Sequence, residues 1–226
     1  LVVKIQNTKY KIQNTKIICG AGTPLSLLVS EEAKNNLTGL EWAVGIPGVI
    51  GGAVQGNAGS FGKAMKDIVK SVKVLEIKFR EIGSPLAIRS LKNRDCKFSY
   101  RDSVFRKKKN LIILSVVIQL KKGNRAEIEK RIKKYLNCKK ETQPLNFPSA
   151  GSVFKNPPGF FAGELIERCG LKEKRIGDVE ISEKHANFIV NLGRGRAEDV
   201  KKLIKLIKKS VKKKFKIKLA EEIQFL

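Results

Sequence analysis

The chain has 226 residues, and a hydrophobic content of 42% suits one large globular domain or two small ones. No apolar run reaches the ~18 residues of a membrane span, which argues against membrane insertion. The net charge of +26, from 47 basic and 21 acidic residues, points toward polyanions, but the lysines are spread along the chain and only 7% of residues are aromatic. That pattern argues against a protein that reads nucleic acid by base stacking; a solvated basic surface is the plain alternative.

"LVVKI" at the start reads as a strand. "KIQNTKY" (4–10) and "KIQNTKI" (11–17) are two copies of one word, and their alternation around Asn-Thr suggests a hairpin. "KIICGAGTPLSLLVSEEAKNN" reads as strand, glycine turn and helix. "SVKVLEIK" (71–78) alternates as a strand does, and "LIILSVVIQL" (111–120) reads as a buried strand. Over 124–140, Ile128, Ile132, Tyr135 and Leu136 share a helical face. The proline-bearing stretch 138–151 is the expected link between two domains.

Beyond the link, "AGELIERCG" (162–170) is a short helix with Gly170 as its C-cap. "HANFIVNL" (185–192) alternates through Ala186, Phe188 and Val190. A longer helix over 198–215 places Val200, Leu203, Ile204, Ile207 and Val211 on one side and lysines on the other. A terminal strand pair follows in "FKIKLAEEIQFL". Mixed helices and antiparallel strands indicate an α+β fold. Cys19, Cys96, Cys138 and Cys169 form no C-x-x-C pair, and with one histidine in the chain no metal site is expected; free thiols suit a cytoplasmic protein.

Two stretches carry candidate chemistry. The glycine-dense segment 39–62 lets backbone approach a flat or charged ligand, although a packed bend would look similar. It lacks the G-x-G-x-x-G spacing of a dinucleotide fold. "PSAGSVFKNP" (148–157) sets Ser152 after a glycine and before Lys155 and Asn156, which suits an anion but also an ordinary turn.

Taken in order, "GLEWAVGIPGVIGGAVQGNAGSFG" (39–62), "CKFSYRDSVF" (96–105), "PSAGSVFKNP", "HANFIVN" (185–191) and "LAEEIQF" (219–225) resemble the UDP-N-acetylenolpyruvoylglucosamine reductases, the MurB family of peptidoglycan synthesis. The resemblance runs over essentially the whole chain. It implies a MurB, PCMH-like FAD-binding lobe over 1–143 and a smaller α+β substrate-binding lobe over 144–226, with a terminal strand returning to the first lobe. It also implies a cytoplasmic monomer whose partners are NADPH and a UDP-sugar. FAD would pass a hydride from NADPH to the enolpyruvyl ether, giving UDP-N-acetylmuramate.

By the same resemblance Ser152 donates the proton, Arg101 polarises the substrate carboxylate, and Glu222 completes stabilisation of the enol intermediate. Ile46, Pro47, Gly48, Gly51, Gly52, Asn57, Ala58, Gly59 and Gly62 match the flavin-wrapping loops, and Tyr100 matches a residue beside the flavin. Asn156 and Lys172 match substrate-binding positions. Read alone, Arg101 suits a strand-edge ion pair, Glu222 a surface carboxylate and Tyr100 the core.

Three departures from the pattern bear on this. The family ending L-E-P-E-V-R is "LAEEIQ" here, with Glu221 for the proline and Gln224 for the arginine. The short segment before "PSAGS" suits the shorter family type. The family's leading region, with its G-S-N loop, has no counterpart, which implies an N-terminal truncation. Alternative readings are a catalytically impaired fragment of this fold, a basic nucleic-acid-binding protein, and a flavin-dependent oxidase of the wider FAD-binding group; the Ser152, Arg101 and Glu222 set speaks against the last.

Overall fold

The computed structural model describes residues 7–77 and 86–225. The opening "LVVKI" and the end of the 71–78 stretch lie outside the described residues. The chain divides into two compact units, Leu1–Asn137 and Cys138–Leu226, and both mix helices with antiparallel sheet.

Unit 1 carries β1 (Tyr10–Gln13), β2 (Lys16–Gly20), α1 (Leu25–Lys34), β3 (Leu37–Thr38), α2 (Ile50–Gln55), β4 (Gly59–Ser60), β5 (Lys63–Ala64), β6 (Val69–Glu76), β7 (Ala87–Lys92), α3 (Val104–Lys107), β8 (Leu111–Gln119), β9 (Lys121–Lys122) and most of α4 (Arg125–Thr142). Five strands form an antiparallel sheet in the order β1-β2-β8-β6-β7. The β1–β2 hairpin turns at Asn14–Thr15, where Asn14 adopts φ 51°, a conformation asparagine tolerates. Ile17, Val72, Val74, Ile113, Val116 and Ile118 fill the core with Leu25 and Leu28 of α1. A register shift between Lys73 and Val74 explains why the buried positions of β8 step by three residues between Ile113 and Val116. Ile128, Ile132 and Tyr135 of α4 pack on this core, as their spacing requires.

Unit 2 carries β10 (Ser149–Ser152), α5 (Ala162–Glu167), β11 (Arg175–Ile176), β12 (Val179–Ile181), β13 (Phe188–Asn191) and α6 (Ala197–Phe215). Its sheet runs β10-β13-β12-β11. Leu203, Ile204, Ile207 and Val211 of α6 are buried in its core. Burying such a side chain is worth ~1.5–3 kcal/mol, more than the intrinsic helix preference of the lysines around it. Glu198 and Asp199 in the first turn and Lys212, Lys213 and Lys214 in the last complement the helix dipole.

Three expectations need correction. Cys138–Thr142, placed in the link, are the last turns of α4, so the proline-bearing connection starts only at 143. The alternation of "HANFIVNL" implied one buried face, but Phe188, Ile189 and Val190 are all buried: Ile189 belongs to the core shared with α6, and Phe188 and Val190, on the opposite face of β13, are covered too. The terminal strand pair is an extended segment with one isolated bridge, Phe154↔Glu221, and its described backbone bonds run to residues 153–155 of unit 2.

Candidate active site

In unit 1 the glycine-dense segment is stitched to the turn after β2. Ile50 N donates to Thr23 O (2.9 Å), Gly51 N to Ala21 O (2.9 Å), and Leu25 N to Gly48 O (3.1 Å). The glycines differ in what they are for. A Cβ on Gly51 would lie 3.0 Å from Ala21, and one on Gly59 would lie 2.5 Å from Lys63 O, so these two are packing glycines. Gly48 and Gly62 adopt positive φ, 104° and 75°. Gly52 has neither reason: it is exposed within α2, and nothing lies within 4 Å of where its Cβ would be. Open space along Gly48, Gly52 and Gly62 fits a flat ligand laid against the backbone. Beside the seam, Thr23 is fully buried and its hydroxyl has no partner among the described residues.

The "YRDS" segment grips the same loop through alternate residues. Ser99 O accepts from Asn57 Nδ2 (2.7 Å), Arg101 Nη1 donates to Gly59 O (2.9 Å), and Ser103 Oγ donates to Gln55 O (2.7 Å). Ser99 and Asp102 bond each other's backbone, which makes Tyr100 and Arg101 the corners of a tight turn. Arg101 there adopts φ 53°, a costly conformation for a long side chain. Tyr100 is exposed, 56%, with the Arg101 guanidinium 5.7 Å from its ring centroid, so it is not a core residue. Asn57 is buried with both side-chain ends used, because its Oδ1 also accepts from Lys66 N (3.0 Å); it holds the loop's shape. Ile46 and Ala58 pack on the core beneath the loop, and Pro47 is exposed before Gly48. Phe61 stacks on Tyr135 at 4.2 Å and pins the β4–β5 turn to α4.

In unit 2, Ser152 ends β10 opposite Phe188 and is half-buried. Gly151 before it adopts φ 79° with open space at its Cβ position. On the next segment, Glu222 N donates to Val153 O (2.8 Å) and Lys155 N to Ala220 O (2.9 Å). Glu222 is thereby held beside the Ser152–Val153 backbone. The pair Phe154↔Glu221 sits between those two bonds, so the pairing makes no demand on the N–H of Glu221. A proline is compatible with that position for the same reason, and here Glu221 instead pairs with Lys208 at 2.9 Å.

Asn187 was absent from the sequence-derived candidates and holds this arrangement together. Its side chain, 4% exposed, accepts from Phe154 N (3.0 Å) and donates to Phe154 O (2.8 Å), while its carbonyl accepts from Val153 N (2.8 Å). A polar residue inside "ANFIV" was the available signal. Asn156 uses its Oδ1 to accept from Ala162 N (3.0 Å) at the start of α5. Lys172 pairs with Glu167 at 2.6 Å. Burial, with the Lys172 cation nearby, holds the His185 imidazole below its usual pKa, and its Nδ1 accepts from Asn187 N (3.2 Å). His185 is thus a structural residue. The two units each gather part of the candidate set: Arg101, Tyr100 and the glycine loop in unit 1, Ser152, Glu222, Asn156 and Lys172 in unit 2.

Residues 143–226 match the family model of the C-terminal domain of UDP-N-acetylenolpyruvoylglucosamine reductase, and residues 1–77 match that of an FAD binding domain. A curated relative from Caldanaerobacter subterraneus subsp. tengcongensis, named UDP-N-acetylenolpyruvoylglucosamine reductase, is 44% identical over 100% of this chain and 72% of its own. One of the same name from Caldicellulosiruptor bescii is 42% identical over 100% and 70%. The crystal structure of the Thermus caldophilus reductase superposes with a TM-score of 0.78 at 39% identity, covering 92% of this chain and 71% of that one.

Proposed function

The chain belongs to the UDP-N-acetylenolpyruvoylglucosamine reductase family, and from that membership we propose that Ser152, Arg101 and Glu222 perform the family's reaction here. That reaction is the NADPH-dependent, FAD-mediated reduction of UDP-N-acetylglucosamine enolpyruvate to UDP-N-acetylmuramate, a step of peptidoglycan precursor synthesis. FAD, when bound, supplies a hydride to the terminal carbon of the enolpyruvyl double bond. The electron pair displaced onto the neighbouring carbon is shared with the carboxylate as an enolate. The Ser152 hydroxyl donates the proton that carbon needs; a weak acid suffices because the acceptor is a strong base. Arg101, charged at any working pH, serves the carboxylate with its planar fork. Glu222 completes the hydrogen-bond set around the enol.

The observation that supports this reading is the backbone bond from Glu222 N to Val153 O, which brings the Glu222 backbone next to that of the residue after Ser152. Gly48, Gly52 and Gly62 offer the flavin open backbone, and Tyr100 is exposed on the turn it shares with Arg101. Residues 1–143 then act as the FAD-binding lobe of the PCMH-like type and 144–226 as the substrate lobe, with Asn156 and Lys172 on the UDP-sugar. The protein works as a cytoplasmic monomer without a specific nucleic-acid partner. Four free thiols suit that compartment, and among the described residues no helix is long and apolar enough to cross a membrane.

Stopped-flow absorbance on the two half-reactions tests the serine. Ser152→Ala holoenzyme should still bleach its flavin with NADPH, because that step needs no proton at the substrate carbon. Re-oxidation by the enolpyruvyl sugar should slow by about 10²-fold or more, and Ser152→Cys should lose less. Equal effects on both halves would reduce Ser152 to a turn residue.

A further inference from the structure

Phe161 is the most exposed large apolar side chain among the described residues, at 68%, and Phe160 before it is 49% exposed. Neither hangs on a loose loop. Asn156 Oδ1 accepts from Ala162 N (3.0 Å), Phe160 N donates to Pro157 O (3.0 Å), and Leu165 N donates to Phe161 O (3.1 Å). The backbone that carries both rings is fixed before any ligand arrives, so the ordering cost left for binding is that of the side chains alone.

Their place in unit 2 is next to the serine segment. Gly163, two residues after Phe161, is packed so that a Cβ on it would lie 3.7 Å from the Cβ of Asn187. Asn187 in turn clamps Phe154 and accepts from Val153 N, one residue from Ser152. Lys155 lies on the same segment, and Lys172 follows α5. Phe147 and Phe225 of the unit are exposed as well, at 48% and 44%, but lie outside the segment from Ser152 to α5, while Phe154 and Phe188 are buried.

Resting on the function proposed above, we infer that Phe161, with Phe160 beside it, is the platform on which the uracil ring of the UDP-sugar stacks. The substrate carries its reacting enolpyruvyl group at one end and a flat π-ring at the other, with a diphosphate between. The segment offers the matching order: Ser152 for the reacting end, lysines for the diphosphate, exposed rings for the base. Stacking on a side chain without polar atoms needs planarity of the base and no particular hydrogen bond.

Isothermal titration with UDP and with 5,6-dihydro-UDP, whose base is puckered, tests this without any turnover. The native protein should bind UDP about tenfold or more tighter than the dihydro compound. Phe161→Ala should bind both alike, at the weaker level, and Phe161→Tyr should restore the preference. Being exposed, the position tolerates both changes in the fold. If Phe161→Ala binds UDP as the native protein does, or loses affinity equally for both ligands, the inference falls while the reductase reading stands. Loss of 2′,5′-ADP binding alone would give the ring to the adenine of NADPH and overturn the uracil assignment. Failure of the native protein to bind UDP at all would sink the proposed function together with the inference.

Discussion

Gly52 illustrates how a single residue separates a packing explanation from a ligand explanation. Glycine inside a helix costs ~0.8–1 kcal/mol relative to alanine, and here no turn, clash or positive φ accounts for that cost. Gly51 next to it is different, because its Cβ would press on Ala21 at 3.0 Å. Gly52→Ala should therefore raise the thermal midpoint of the flavin-free protein, by an amount equivalent to ~0.4–1 kcal/mol. The same substitution should weaken FAD binding, because its methyl group would occupy the space proposed for the cofactor. Fluorescence titration with FAD reads the second effect. Unchanged affinity in the stabilised variant would remove Gly52 from the cofactor face.

In unit 2 the elements around the serine form a three-part unit: β10, β13 and the terminal extended segment, joined at Phe154 by the side chain of Asn187. Asn187→Ala leaves a buried N–H and C=O of Phe154 without those partners, which costs ~1–3 kcal/mol for each orphaned group. Thermal or urea unfolding of the variant should show a loss of that order. A loss below ~0.5 kcal/mol would mean that water replaces the amide. Much of this was legible beforehand. Helix α6 followed from Val200, Leu203, Ile204, Ile207 and Val211, and the hairpin from the repeated Asn-Thr. The candidate site residues rest on motif order rather than on physics, since Ser152 alone reads more readily as a turn residue. What stayed hidden depends on tertiary contact. β7, an edge strand, shows little alternation in its burial, and the burial of both faces of β13 depends on what packs over each face. The terminal segment looks like a strand in sequence yet makes one bridge. Which glycines are packed and which face open space is decided by contacts that glycine spacing does not announce, with Ala21 against Gly51 and Lys63 against Gly59.

The net charge of +26 belongs to the molecule rather than to any one site. On α6 the lysines flank a buried apolar stripe, and several are tied to local acids: Lys201 to Glu198, Lys202 to Asp199 and Lys208 to Glu221. Such exposed pairs contribute ~0–1 kcal/mol each and leave the surface positive. A positive field of this kind attracts anions over a Debye length, ~8 Å at physiological salt, and favours encounter with anionic nucleotides without distinguishing them. Base readout needs more than charge: it needs side chains at groove depth or a row of stacking rings along a basic track, and of the exposed rings described in unit 2 only Phe225 lies against an α6 lysine, Lys201, while Phe160 and Phe161 sit on the turn before α5 and Phe147 in the connection after α4. Duplex DNA should consequently bind loosely and without sequence preference. Fluorescence anisotropy across a salt series should give log K falling linearly with log salt, with a slope of about −0.9 for each phosphate neutralised. Unrelated duplexes of equal length should give superimposable lines. A line for one duplex that stays flat with salt, at tighter affinity than the others, would show that the basic surface is a specific nucleic-acid site after all.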